Sequence, residues 1–310
     1  MRRVASLQVT AGRRPPTDDP GAESEPYHPP MRLSDRGRHI LFVGIGMVGY
    51  AYLARVLLVN GIEGAGGLGG IDAIAYWTAA GHALHGEPLY AIAGFEFQTY
   101  QYPPVFAQVL APAAMLPMPV FVWLWRGIEL VGLRLATGGW VRAGIAILIF
   151  PPVIAEIDAG NVHLIIAGVT ALAMRGIAGP VGPSFLIKFS TWPLAPLAWL
   201  HDRRGLLIGS AAGGLVAAVS IALAPGAWNE YLVFLTSHSL PADGYKILYS
   251  VPLVVRLVFA ALVGLAAVRW IRLAPVAVAL AYPIVWFHAL STLTAVVTPL
   301  GRRRPDAVAE

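Results

Sequence analysis

Long apolar runs recur along most of this chain, separated by short stretches rich in proline, glycine or arginine. That pattern leaves few ways to fold. A helical run of about 20 apolar residues matches a hydrocarbon core of about 30 Å, so each such run reads as a membrane-spanning helix. With 57% of the 310 residues hydrophobic and 13% charged, the chain is too apolar for one soluble core. The expected class is all-α, a polytopic integral membrane protein. Cysteine is absent, which excludes disulfides and thiolate metal sites. The net charge of +5 does not point to nucleic acid, because the basic residues sit in the tails and between apolar runs, where orientation in a bilayer accounts for them.

Residues 1–38 are polar, proline-rich and of mixed charge, as expected of a disordered cytoplasmic tail. They lack the layout of a secretory signal. A first span is predicted over Ile40 to Val59; seven arginines precede it, which sets the N-terminus inside. Residues 60–101 hold four acids and no Lys or Arg, so this loop belongs outside. Within it, Asp72 to His85 is predicted to form a short juxtamembrane helix. Gly64 to Gly70 is a connector without the GK[ST] ending of a phosphate-binding loop.

Further spans are predicted near Pro103 to Leu116, Val120 to Leu135, Ala143 to Ile157, Val162 to Met174, Leu206 to Ala224 and Val251 to Val268. Two segments, Gly182 to Leu200 and Pro275 to Pro299, read as broken. Arg175, His201 to Arg204, Arg269 to Arg272 and Arg302 to Arg304 belong on the cytoplasmic side. The transmembrane domain then covers 39–301, with a cytoplasmic tail at 302–310. From Arg175 to Arg203, and again from Arg272 to Arg302, both ends want the inside. Each segment is therefore expected to be a pair of half-helices meeting near the outer face, at Lys188 and near Pro283 to His288. Broken backbone at that depth lines a cavity or is covered by protein. Arg134 and Arg142 ask for an inside loop that this parity does not supply, which leaves the third and fourth spans without a fixed orientation.

Asp72 and Tyr76 are four apart and share a helix face. Two roles suit Asp72: an N-cap at the helix start, or a functional carboxylate at the head of a loop stripped of cations. Lysine occurs only at 188 and 246. Lys188 and Arg256 suit either a phosphate ligand or a side chain reaching for the interface, and Lys246 the latter. Glu156, Asp158, Asn161 and His163 form either a polar turn or a site. His288 suits an interior group or a functional one. His82 and His85 lack a third metal ligand nearby. Tyr100, Tyr102, Trp192 and Trp286 suit an interfacial belt or a sugar-stacking surface.

Several stretches, taken in order, resemble glycosyltransferase family 87. Asp72, Tyr76, Gly86 and Tyr90 followed by YQYPPVFAQVLAPAAMLP are similar to the family's start. DAGNVHLIIAG from Asp158, LIKFSTWPL from Leu186, YSVPLVVR from Tyr249 and YPIVWFHAL from Tyr282 are similar to later motifs, although the Asn-Gln that the family carries before Ser250 is missing. The resemblance implies a GT-C-like bundle of about 8–11 transmembrane helices and half-helices in the plasma (inner) membrane. It implies Asp72 as catalytic base, with Tyr76, Tyr102, Asn161, His163, Lys188, Arg256 and His288 binding substrate. The implied reaction is inverting, metal-independent transfer of mannose or a similar hexose from a polyprenyl-phosphate donor to a glycolipid or glycan acceptor on the extracytoplasmic face. No cofactor is expected beyond that lipid-linked substrate. The alternatives are a transporter or flippase of a lipid-linked sugar, and a shortened inactive family member.

Overall fold

The structure is a computed structural model and describes residues 69–90, 100–237, 246–248 and 250–300, with isolated positions between 34 and 51. The C-terminal tail and most of the N-terminal tail, of the first predicted span and of the connector at 64–70 lie outside the described residues. Contacts divide the chain into two units, Met1–Leu41 and Phe42–Glu310, and every element from residue 69 onward belongs to the second.

The described residues are mostly helical, with almost no strand. In chain order they form α1 (Ile71–His85), α2 (Pro104–Leu110), α3 (Met118–Thr137), α4 (Trp140–Ile149), α5 (Pro151–Ala159), α6 (His163–Met174), α7 (Val181–Ser184), α8 (Ala195–Leu223), α9 (Pro225–Ser237), α10 (Leu253–Ala267) and α11 (Ala274–Leu280). Four 3₁₀ segments intervene, at Ala111–Met115, Phe189–Leu194, Ile271–Leu273 and Phe287–Val297. Two two-residue strands, β1 (Lys246–Ile247) and β2 (Val285–Trp286), pair antiparallel with Lys246 opposite Trp286. Proline opens many of these helices, in the first turn of α2, α3, α5, α8 and α11, where its missing N–H costs nothing. Glycine in the left-handed region closes α1, α3 and α5 at Gly86, Gly138 and Gly160.

The segment expected to be a single span at Ala143 to Ile157 is two helices. Pro151 and Pro152 remove N–H groups that a continuous helix needs, so α4 ends at Ile149 and α5 begins afresh. Helix α4 also departs from α3 at 103°. The chain therefore turns sharply between Arg134 and Arg142 instead of running on in one line.

Both broken hairpins are present. Arg175 Nη2 donates to Leu135 O (2.6 Å) and Thr298 Oγ1 (2.5 Å), the Ala178 N–H donates to Asp202 Oδ2 (3.0 Å), and Arg272 donates to Val296 O. These contacts gather the ends of α3, α6, α10 and both hairpins at one end of the molecule. From there the chain rises to Lys188 and returns to Asp202, and later rises to Pro283 and returns to Thr298. Asp202 breaks α8: its backbone is non-helical, and its Oδ1 accepts the Gly205 N–H (2.8 Å) as an N-cap for a new helix of 21 residues, 203–223. Among the described residues one helical segment, Phe189–Leu223, is long and apolar enough to cross a membrane, or two if α3 and α4 count together as a bent span.

Small residues let the supporting helices meet closely. A Cβ on Gly132 of α3 would lie 2.5 Å from Leu164 O of α6, so no larger residue fits there. Below α1 the same logic fixes the site. Gly160 has φ +71° and a Cβ there would lie 2.7 Å from the Ala73 Cβ, while the Gly70 N–H donates to Asp158 O (2.6 Å). Together they seat the start of α1 on the end of α5. Gly160→Ala is expected to cost about 1–2 kcal/mol from the left-handed backbone alone, plus the clash; a thermal melt of the variant in detergent checks it.

A candidate active site at the hairpin tips

Asp72 does not cap its helix. The N-cap of α1 is Gly70, and Asp72 lies two residues in, where its charge still favours the helix N-terminus. Its Oδ2 instead accepts a 2.6 Å hydrogen bond from Asn161 Nδ2. Asn161 Oδ1 accepts from the Tyr102 hydroxyl (2.9 Å) and from the Val162 N–H (2.7 Å), and Tyr102 accepts from the Tyr76 hydroxyl (2.9 Å). The result is a directed chain, Tyr76 to Tyr102 to Asn161 to Asp72, in which every donor points toward the carboxylate. Among the described residues Asn161 is the one hydrogen-bond partner of Asp72. Burial pushes the Asp72 carboxyl above the usual aspartate range, and the Asn161 hydrogen bond and the Lys188 charge pull it part of the way back.

A second chain meets the first. Glu156, on the last turn of α5, accepts the His163 N–H on Oε1 (2.5 Å) and pairs through Oε2 with His163 Nδ1 (2.9 Å). His163 Nε2 lies 2.9 Å from Lys188 Nζ. An ammonium only donates, so Nε2 accepts and Nδ1 carries the proton that it gives to Glu156. Lys188 therefore sits at the first hairpin tip, tied to a buried imidazole that a buried carboxylate orients. Its Nζ also lies 4.9 Å from the Tyr282 ring centroid and 5.5 Å from that of Tyr102, close enough for cation–π attraction. The field of this ammonium reaches Asp72, so the two chains form one electrostatic unit.

The second hairpin tip closes the cluster. The His288 ring lies 5.3 Å from that of His163 and stacks parallel to Trp286 at 6.4 Å, and Tyr282 meets His163 edge-on at 4.6 Å. Asp72, Tyr102, Lys188 and His288 retain partial exposure, whereas Tyr76, Asn161, His163, Glu156 and Tyr282 are buried behind them. The arrangement has a reachable layer that can touch a ligand and a buried layer that holds it in place.

Tyr76, Asn161 and His163, expected to bind substrate, are each buried and hydrogen-bonded to a group of the reachable layer. They position Tyr102, Asp72 and Lys188. Arg256, expected as a phosphate ligand, donates Nη1 to Tyr282 O and Nη2 to Pro283 O, both at 2.7 Å. Its fork clamps the second hairpin tip, because two backbone carbonyls freed by the break need donors. His82 and His85 are satisfied at the end of α1, through Pro88 O (3.0 Å) and Gly81 O (2.8 Å).

One acid of the cluster is not singled out by the sequence, while Glu156 reads there as part of either a polar turn or a site. Glu129, in the middle of α3, is wholly buried near Glu156, and neither of its oxygens has a hydrogen-bond partner among the described residues. The available signal is an acid inside an apolar run, which marks a function by default. Glu156, His163 and His288 also offer three donor atoms within 4.8 Å of one another, the spacing of a potential cation cage. Both Glu156 oxygens are already engaged with His163, and the Lys188 ammonium lies on His163 Nε2, so the cage holds a cation of its own. Comparisons with family models, curated proteins and solved structures return no match.

Proposed function

We propose that the chain is a polytopic membrane glycosyltransferase that moves a hexose from a polyprenyl phosphate to a hydroxyl acceptor. The observation that carries the reading is a carboxylate and an ammonium, Asp72 and Lys188, in one partly exposed cluster, each fixed from behind by buried hydrogen-bonding groups. In an inverting displacement Asp72 takes the proton of the acceptor hydroxyl as its oxygen bonds to the anomeric carbon. The bond from that carbon to the phosphate oxygen breaks, and the electron pair leaves with the polyprenyl phosphate. Lys188 meets the charge that develops there. Tyr102 and His288 stand beside the reacting groups as hydrogen-bonding and stacking partners. Mannose as the sugar, and the glycolipid or glycan nature of the acceptor, come from the motif resemblance to glycosyltransferase family 87.

The membrane part of the proposal is supported by a reversed distribution of polarity. Glu129, Glu156, His163 and Arg256 are buried, while Leu207, Ile208, Leu215 and Leu223 of α8 and Val254, Val258, Leu262 and Leu265 of α10 are 50–79% exposed. Such continuous outward apolar faces need lipid or another apolar partner. The site lies at the opposite end of α6 from the arginine-bearing end, which under the positive-inside rule supports the extracytoplasmic reading. Helix α6 has 12 residues, so the two levels are about 18 Å apart.

A carrier of lipid-linked sugar is the second reading, favoured by the two broken hairpins whose tips form the site. Proteoliposomes loaded with a glycolipid acceptor and labelled polyprenyl-phosphate mannose separate the two. Labelled glycolipid supports the transferase; movement of intact donor without new product supports the carrier and overturns the transferase. The transfer rate is expected to be unchanged in EDTA, since Lys188 supplies the cation; loss in EDTA restored by an added divalent metal contradicts that assignment.

A further inference from the structure

The end of the molecule opposite the site has a surface that the transfer chemistry does not use. Arg134, Arg142, Arg203, Arg204, Arg269 and Arg272 are exposed there. Trp140, Trp199 and Trp270 are exposed among them, at 58%, 43% and 62%. The arginines and tryptophans are paired. Arg134 Cζ lies 5.4 Å from the Trp140 ring centroid and Arg203 Cζ 4.4 Å from that of Trp199, while Arg269 and Trp270 are adjacent in the chain. The one acid in these stretches is Asp202, and its two oxygens accept the Ala178 and Gly205 N–H groups. Its charge is therefore already engaged by the backbone. Helix α4 lies across this end at 103° to α3 and exposes Val141, Ile145 and Leu148 beside Arg142.

Each element has a counterpart in an anionic lipid leaflet. A guanidinium fork matches a phosphate oxygen pair. An exposed indole beside it sits where acyl chain meets headgroup. A helix lying across the bundle with an apolar face and an arginine suits the plane of the interface. We infer that this arginine–tryptophan end is a docking surface that selects anionic phospholipid headgroups over zwitterionic ones. The inference rests on the membrane reading of the fold, and its partner is the lipid leaflet itself.

Full-length protein reconstituted in bilayers containing a minor fraction of brominated phosphatidylglycerol or, separately, brominated phosphatidylcholine tests it through tryptophan quenching. The contribution of Trp140, Trp199 and Trp270 is isolated by comparison with their triple Phe variant. The expected result is stronger quenching of these three by the anionic lipid at equal mole fraction. The preference should fall about fivefold for each arginine removed in the series Arg134→Gln, Arg203→Gln and Arg269→Gln. Equal quenching by the two lipids, or an unchanged preference in the triple Gln variant with native helix content, overturns the headgroup assignment. Absence of quenching by either lipid overturns the membrane reading as well, so the two failures are distinguishable.

Discussion

Asp72→Asn protein is expected to fold, to bind the polyprenyl-phosphate donor as the wild type does, and to transfer sugar roughly 10²–10⁴ times more slowly, the range for loss of a positioned general base. Asparagine preserves the shape of Asp72 and can still meet Asn161 through its carbonyl oxygen, so the seat of α1 on α5 is not disturbed. What disappears is the acceptor for the hydroxyl proton. The wild-type pH profile carries the same information. A base works only when ionised, so the rate rises with pH through the Asp72 pKa and is lost below it. Because burial raises that pKa, the acid limb lies above where an exposed aspartate would put it. Single-turnover rates measured against pH, for wild type and Asp72→Asn, check both statements; a pH limb that survives the substitution assigns the base elsewhere.

Lys188→Met has the second largest expected effect, and it falls on a different step. The charge-assisted contact to the donor phosphate is worth about 1.5–3 kcal/mol, which predicts donor affinity weaker by roughly 10- to 150-fold. A second consequence comes from geometry. The Lys188 charge lowers the Asp72 pKa, so its removal should move the acid limb to higher pH. A residue with a merely structural role would not produce that shift. Donor titrations and the pH profile of the same variant measure the two effects together.

Much of this arrangement is legible in the chain, for reasons that can be named. Arginines at both ends of short segments demand hairpins that start and finish at one end, and the contacts of Arg175, Asp202, Arg272 and Thr298 place them so. Lys188 and the stretch from Pro283 to His288 are expected at the tips because breaks and rare polar residues coincide there, and both tips meet His163. The clustering of Asp72, Tyr102, Lys188 and His288 is implied by motif order. What escapes the sequence is the depth of each group. Whether Asn161 or Tyr102 faces a ligand depends on which one the α1–α5 contact buries, and that contact is set by Gly70 and Gly160, whose spacing carries no periodic signal. The role of Arg256 is hidden for a similar reason: a cation inside an apolar helix reads the same whether its partner is a phosphate or two carbonyls of a distant hairpin. The Ala143 to Ile157 span fails because its hydrophobicity outweighs the Pro151–Pro152 pair, which physically ends a helix.

The most direct test is equilibrium binding of polyprenyl-phosphate mannose to purified wild-type, Asp72→Asn and Lys188→Met proteins, with one subsequent round of transfer to acceptor. The proposed function predicts near-equal donor affinity for wild type and Asp72→Asn with transfer lost only in the latter, and affinity reduced at least about tenfold in Lys188→Met. Equal affinity in all three proteins, or undiminished transfer by Asp72→Asn, would contradict a shared site in which one residue moves the proton and the other holds the phosphate.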